Sequence, residues 1–503
     1  MTTSTVNERT YGNFQAPPRA GLWGQGLVAT MLGVVGIGIS ILVLVLTSTF
    51  LVPLILLGLT AAITLPFVIR VNGDPAAVRL LAAITGSRAA AKKHNAYLSG
   101  PLGVVPGGTH RLPGLLTATD AFEFAAGGRR FALLWHTRAH RWTVVIACYP
   151  EGQDLVDDDV LDRRVARHGS FLAGFATDRD VVGIQQLVEL VPDPGGRARD
   201  AIVKQITPSA PEAAQAAMWA AAAKQGTGQT RVGSRTSVTW RTPETIKARP
   251  REERPELMAT WVAAKLNSIC TDLQTAGAGV ARPMELLELA EELHLAYDPA
   301  AARDVDEQRI SRHRTTEWED AGPAAMIERP GDLLHDSGRS VSWSMVKAPS
   351  SDVDRNALLP LLAAESGVLR KRLCITWRPE PADKAQARVK RSIRASIFKA
   401  SADKIGDAGD DLDMSAHRST QRELRKGAAL LNFSMHLTIT MPAEVDESAV
   451  SSTVEAMEAS GRQADVALRR CWRHQQVGFT AALGVGVIPA ELSVMPRVIR
   501  ENL

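Results

Sequence analysis

The chain has 503 residues, 45% of them apolar and 22% charged, with 58 Lys and Arg against 54 Asp and Glu. This is a globular composition, and a formal charge of +4 excludes a histone-like polyelectrolyte and argues against nucleic-acid binding driven by overall charge. A mean hydropathy of −0.05 is too low for a many-span transporter, and cysteines at 148, 270, 374 and 471 leave no zinc ribbon, CxxC motif or disulfide framework.

Between Arg19 and Arg70 no position carries a charge. About 20 apolar residues cross a roughly 30 Å hydrocarbon core as a helix, so this run fits two spans and no more. Thr47, Ser48 and Thr49 interrupt it where a tight turn belongs. Pro53 falls in the first turn of the second span, where its missing N–H is harmless, and Pro66 lies near that span's end. Trp23 sits at the entry, at headgroup level. A signal peptide has an apolar region of about 7–15 residues, far shorter than this one. The expectation is a transmembrane hairpin at 26–69 behind a cytoplasmic tail at 1–25. Arg9 and Arg19 precede it; Arg70, Arg79, Arg88, Lys92 and Lys93 follow, with Asp74 the one acid among them. Basic flanks stay cytoplasmic, so both termini and all of the chain after Arg70 are expected on the cytoplasmic side of the plasma membrane. Scattered cysteines suit that reducing compartment.

Residues 70–125 are rich in Gly and Pro and read as a juxtamembrane helix followed by a linker. A soluble chain begun near Thr109 should therefore fold. Beyond it, period-2 and period-3.6 patterns alternate. Arg130–Thr137 and Arg141–Cys148 read as a β-hairpin. Helix, strand, helix, strand, helix, strand and helix follow at 160–175, 181–191, 210–225, 230–242, 256–276, 279–284 and 285–297. A linker at 301–335 separates these from a second run. That run has a strand at 339–348, a helix at 356–368, a strand at 369–379, a basic helix at 384–400, a strand at 431–442, a helix at 450–461, a strand at 464–472 and a helix at 475–483. The fold class expected is a helical transmembrane hairpin plus a cytoplasmic α+β region. The latter comprises two related, ferredoxin-like antiparallel-sheet subdomains, 126–300 and 336–503, each covered on one face by helices.

The search for chemistry returns no site: no catalytic residue, no cofactor-binding residue and no metal ligand is assigned, and no cofactor is expected. No Lys follows a Gly and none precedes Ser or Thr, which rules out a phosphate-binding loop of the G-x-x-x-x-G-K-[ST] kind. GVGVI at 484–488 and GAGVA at 277–281 lack the third glycine of a dinucleotide motif and read as turns or tight packing. There is no G-x-S-x-G and no H-E-x-x-H. His136 and His140 are spaced for one helix face but span a predicted hairpin turn; Cys471 and His474 read as structural. Asp410, Asp411 and Asp413 lack the Glu that closes a calcium loop, since Arg418 stands at its place. In the basic helix, Lys384, Arg388, Lys390, Arg391, Arg394 and Lys399 oppose an apolar stripe of Val389, Ile393 and Ile397; the basic face is solvated, or paired with acids elsewhere, or meets anionic lipid or nucleic acid. Trp135, Trp142, Trp240, Trp343 and Trp377 lie on predicted strands, where aromatics are usually core.

Several runs carry a resemblance. TYGNFQAPPRAGLWGQG precedes the hairpin, SGPLGVVPGGTHRLPGLL spans Ser99–Leu116, and RFALLWHTRAHRWTVVIACYPEG follows; GAGVARPMELLELAEELHLAYDPAA, WEDAGPAA from Trp318 and HDSGRSVSWSM from His335 complete the set. In order and spacing these resemble actinobacterial integral membrane proteins of conjugation and type IV secretion-like gene clusters, the PrgI-type proteins. The resemblance implies a PrgI-type hairpin fused to a region like the amino-terminal part of a VirB/TraC-type ATPase, without the motor domain. It implies a non-enzymatic scaffold whose partners are the bilayer, a separate VirB/TraC-type ATPase and other secretion subunits, with self-association open and no direct nucleic-acid contact. Two alternatives stand beside it: a type VII secretion subunit of EccE type, and a membrane-tethered enzyme with an unrecognised site.

Overall fold

The computed structural model describes residues 11–12, 14, 26–47, 49–71, 74–101, 103, 105–150, 152, 156–192, 196–224, 230–349, 351–381, 384–390, 393–394, 418–424 and 427–492. They form two compact units: one holds mainly 96–345 and 349–489, the other mainly the segment 14–95. Trp23, Ser48, the acidic cluster at 410–413, Arg391, Ile397 and Lys399 lie outside the described residues.

In the smaller unit, α1 (Leu27–Thr47) and α2 (Leu51–Val68) form the expected hairpin. Both are long and apolar enough to span a membrane. On α1, Ala29 and Ser40 are buried and Gly33 and Gly36 half-buried along one face, so small residues let the backbones approach. A Cβ on Gly36 would meet Thr60 of α2. Hydroxyls inside the helices donate to carbonyls one turn back, as Ser40 does to Gly36 at 2.9 Å and Thr60 to Leu56 at 2.8 Å, which pairs them within their own helix. A two-residue strand pair, β1 (Arg70–Val71) and β2 (Asp74–Pro75), turns the chain into α3 (Ala76–Ala91).

The larger unit is built on one antiparallel sheet. Its strands are β3 (Ala96–Leu98), β4 (Thr119–Ala126), β5 (Arg129–His136), β6 (Arg141–Tyr149), β7 (Val181–Pro192), β8 (Thr230–Arg241), β9 (Val280–Pro283), β10 (Ala325–Glu328), β11 (Leu333–His335), β12 (Gly338–Lys347), β13 (Arg370–Pro379), β14 (Leu431–Pro442) and β15 (Ala467–Arg470). The helices are α4 (Asp158–Gly174), α5 (Gly196–Lys204), α6 (Glu212–Lys224), α7 (Glu244–Lys247), α8 (Arg254–Leu273), α9 (Leu286–Tyr297), α10 (Ala302–Ser311), α11 (Leu359–Leu362), α12 (384–390), α13 (418–424), α14 (Glu447–Gln463) and α15 (Gln475–Ala481).

The spatial order is β3-β10-β11-β12-β14-β13-β7-β8-β6-β5-β4, with β9 beside β6 and β15 beside β12. Reading outward from the β7/β13 seam, the order β7-β8-β6-β5-β4 matches β13-β14-β12-β11-β10. The seam is continuous, from Lys371 opposite Leu190 to Trp377 opposite Ile184.

Three expectations are corrected. Residues 301–335 are not a linker, because α10, β10 and β11 occupy them, with Met326 and Leu333 buried. The stretch 70–125 holds α3, β3 and β4, and β3 pairs with β10, so a chain begun at Thr109 would lack a sheet strand. The helix expected at 356–368 shrinks to Leu359–Leu362. There the Lys371 ammonium captures the Ala363 carbonyl at 2.5 Å and Glu365 at 3.0 Å, pulling out backbone that a longer helix would use.

One sheet face is apolar and lies under helices. Trp142, Val144, Ile184, Val238 and Trp240 pack with Met258, Val262 and Leu266 of α8 and with Phe171 of α4. In the other half Val341, Trp343, Leu373, Leu437 and Ile439 pack with Val450, Val454 and Met457 of α14. Trp135, Trp142, Trp240 and Trp343 are core, as their strand positions imply, while Trp377 is half-buried at its margin. Trp135, Trp142 and Trp240 align across β5, β6 and β8, and the first two stack at 4.9 Å. Such a stack contributes about 0.5–1.5 kcal/mol beyond area burial.

Candidate functional site

The opposite sheet face departs from the one-sided covering expected. It is buried too, although polar. Thr143, Gln185, Ser237, Thr239, Ser340, Ser342, Thr376, Thr438 and Thr440 are all at most 1% exposed. A buried hydroxyl must find a partner, and here neighbours on adjacent strands supply it. Thr143 pairs with Thr239 at 2.9 Å, Ser342 with Thr438 at 2.9 Å and Ser340 with Thr440 at 2.8 Å. The cover comes from α9, α15 and the loop 482–488.

GVGVI is part of that cover and packs tightly, as expected. Gly486 has φ +82°, and a Cβ there would lie 2.0 Å from the Thr143 hydroxyl. Its N–H donates to the Gln185 side chain at 2.7 Å, and the Gln185 amide donates to the Val487 carbonyl at 3.0 Å.

At one end of this face the seam carries charge. Glu189 of β7, 5% exposed at its side chain, meets Arg370 of β13 at 2.9 Å and Arg235 of β8 at 3.0 Å, with Arg372 at 3.9 Å. Glu292 of α9 bonds Arg235 at 3.1 Å and Arg309 of α10 at 2.9 Å. Glu291 receives Arg309 and Arg314, each at 2.6 Å. Burial pushes the Glu189 and Glu292 carboxyls up, but the surrounding guanidiniums outweigh it and hold both below the usual carboxylate range. Arg372 is the exception: burial lowers it to about 10, and its Nε and Nη1 have no hydrogen-bond partner. It lies 4.4 Å over the Phe479 ring. These carboxylates are locked in ion pairs and the cluster holds no nucleophile, so its chemistry is a clamp between the two halves of the sheet. The sequence signal was the Arg370–Arg372 triplet, cations at the start of a strand and followed at once by the apolar Leu373, Cys374 and Ile375.

Three of the runs that carry the resemblance meet in a second cluster. The Ser99 hydroxyl donates to the Pro323 carbonyl at 2.6 Å and accepts from His110 Nδ1 at 3.0 Å, its own proton being committed to Pro323. The Gly322 N–H donates to the His110 carbonyl, and the His110 N–H donates to Asp320 at 3.0 Å. Tyr97 donates to the Arg111 carbonyl at 2.5 Å, while Asp336 caps the Ala324 and Ala325 N–H groups at 3.1 and 2.9 Å. The SGPLGVVPGGTHRLPGLL, WEDAGPAA and HDSGRSVSWSM runs thus tie β3 and its following loop to β10 and β11. A Ser with its proton committed to a carbonyl is no nucleophile.

Other singled-out residues fall apart as sites. His136 is buried; its Nδ1 meets Thr119 at 3.0 Å, its Nε2 donates to the Val485 carbonyl at 3.1 Å, and burial lowers it to about 4. His140 sits in the β5–β6 turn with φ +51°. Cys471 and His474 are joined through backbone, and burial pushes the thiol up to about 11. In α12 Arg388 pairs with Glu380 at 3.2 Å and Val389 is buried, while Lys384 and Lys390 are exposed, so this helix has the two faces expected. GAGVA lines a cleft with Arg164, Gln274, Gly277, Gly279 and Val280, of which Arg164 alone is titratable. Among the described residues no group of three His, Cys, Asp or Glu is placed to hold a metal ion. A scan against family models finds no match, and neither does a search of curated proteins.

Proposed function

We propose that this chain is a non-enzymatic, two-pass structural subunit of the cytoplasmic membrane in a conjugation or type IV secretion-like machine, whose cytoplasmic module docks a separate ATPase. The observation that carries the membrane part is the hairpin surface. Val45 and Leu46 of α1 and Leu51 of α2 are 73%, 73% and 71% exposed, and they belong to an apolar coat running along both helices. A water-soluble protein rarely shows so large an apolar patch, whereas in a bilayer this is the favoured surface. Basic flanks favour cytoplasmic termini.

We also infer that the sheet halves are ferredoxin-like subdomains descended from one duplicated unit. Strands β6 to β9 lie in the order β9-β6-β8-β7, and strands β12 to β15 lie as β15-β12-β14-β13. Each set has helices after its first and third strands, as in the ferredoxin-like βαββαβ pattern, with further helices inserted after its second strand (α5 and α6 in one, α12 and α13 in the other). Matching Thr143–Thr239 and Ser342–Thr438 pairs between corresponding strands support the same descent.

A scaffolding role is supported by how the polar side chains are used: buried hydroxyls, carboxylates and guanidiniums are spent on holding strands and helices together. The secretion machine and its ATPase rest on the resemblance of the ordered sequence runs. The test is affinity purification of the full chain from native membranes, read by mass spectrometry. A VirB/TraC-type ATPase and a coupling protein are the expected co-purifying proteins. An EccC-type ATPase would move the chain to type VII secretion, and an eluate without secretion components would overturn the proposal.

A further inference from the structure

We propose that α3 is a membrane-surface helix, with Leu80, Leu81 and Ile84 at the acyl boundary and its cations on the anionic headgroups of the adjoining leaflet. This rests on the reading that the α1–α2 hairpin spans the bilayer. Leu80 and Leu81 are 60% exposed and Ile84 is 42% exposed. At 3.6 residues per turn the three occupy an arc of about 100°. They are not isolated from the hairpin: the Ala76 N–H donates to the carbonyl of Ile69, the residue that follows α2, at 2.9 Å. Val68, Ile69 and Val71 are 38%, 46% and 41% exposed, so apolar surface continues from α2 toward α3.

The charge pattern selects the occupant. From Ala76 to Asn95 there is no acid, while Arg79, Arg88, Lys92 and Lys93 supply four cations. Apolar side chains with cations and no acids on a helix fixed to the end of a membrane span fit an anionic leaflet. A third span does not fit, because 16 residues with two arginines are too short and too polar to cross. Arg88 shares the apolar arc, and its long stem can carry the guanidinium back up to the headgroups.

The experiment uses the full chain carrying Cys471→Ser, reconstituted into vesicles of phosphatidylcholine alone or mixed with phosphatidylglycerol. A nitroxide is placed in turn at Leu81→Cys, Ile84→Cys, Ala90→Cys on the far side of α3, and Leu42→Cys on the hairpin. Accessibility to oxygen and to a water-soluble nickel chelate is compared at each. Oxygen should dominate several-fold at 42, 81 and 84, and the chelate at 90. Reversing Arg79, Arg88, Lys92 and Lys93 to Glu should abolish the oxygen preference at 81 in the phosphatidylglycerol vesicles. If 42 reports lipid while 81 and 84 report water, or shielding from both reagents by protein, the inference is wrong and the hairpin reading survives. If 42 itself reports water, the hairpin reading fails. If charge reversal changes nothing, anionic headgroups do not hold α3 and the inference fails in that form.

Discussion

Glu189→Gln tests whether the seam is held by charge. The carboxylate is 5% exposed and has three guanidiniums within 4.0 Å, at 2.9, 3.0 and 3.9 Å. One charge pair at about 4 Å is worth roughly 4 kcal/mol at an effective dielectric constant of about 20. Losing the anion takes from Arg372 its carboxylate at 3.9 Å and leaves Arg235 and Arg370 to share Glu292, at 3.1 and 3.7 Å, and breaking such a buried set on one side costs about 3–5 kcal/mol. Glutamine keeps the shape and one acceptor oxygen, so packing is spared and the loss reports charge. Arg372→Met is the counter-test. It removes a buried cation whose Nε and Nη1 bond nothing, and replaces its stem with apolar volume against Phe479. That change should be neutral or stabilising, by up to about 4 kcal/mol. Urea unfolding of residues 96–489, followed by tryptophan fluorescence, reads both, since Trp142, Trp240 and Trp343 are fully buried. A Glu189→Gln midpoint within about 1 kcal/mol of the parent, or a strongly destabilised Arg372→Met, would refute the electrostatic account of the seam.

Gly486→Ala should destabilise by about 2–4 kcal/mol, because the new Cβ adds a left-handed backbone penalty to an overlap with Thr143; an unchanged urea midpoint would show that the 482–488 loop can lift away freely. Stability should fall as pH drops from about 6.5 toward 4, since buried His136 and His335 have folded values near 4 and 3, below their unfolded one, so the unfolded chain takes up protons first; each contributes a slope of up to about 1.4 kcal/mol per pH unit. A flat urea midpoint across that window would contradict their burial as neutral rings. A chain starting at Ala96 should show slow amide exchange in β10, whereas one starting at Thr109 loses β3 and the Ser99 and Tyr97 bonds and should exchange faster there; equal protection would mean that β3 adds nothing.

Local chemistry alone determined much of this protein. A long uncharged stretch with one polar interruption reads as two helices, because a helix pairs its backbone groups within its own segment. Strands β6, β7, β8, β13 and β14 were legible from period-2 patterns, and α4, α8, α9 and α14 from helical ones. Strand β4 carries such a signal too, inside the stretch expected as a linker. Gly127 and Gly128, both with positive φ, form a two-residue hairpin turn between TDAFEFAA and RRFALLWH. What the tertiary structure decided is the fate of the second sheet face. Runs such as TSVTW, SVSWS and HLTIT alternate apolar and hydroxyl residues, which by itself describes a strand with one wet side. Hydroxyls bury at little cost once a partner lies opposite, and whether one does depends on register between strands about 100 residues apart, as in Thr143–Thr239 and Ser342–Thr438. The same holds for Glu189 and Arg370, whose pairing exists only because β7 and β13 meet at the seam. Pairing over such separations is set by the packing of the whole sheet, and no local pattern encodes it.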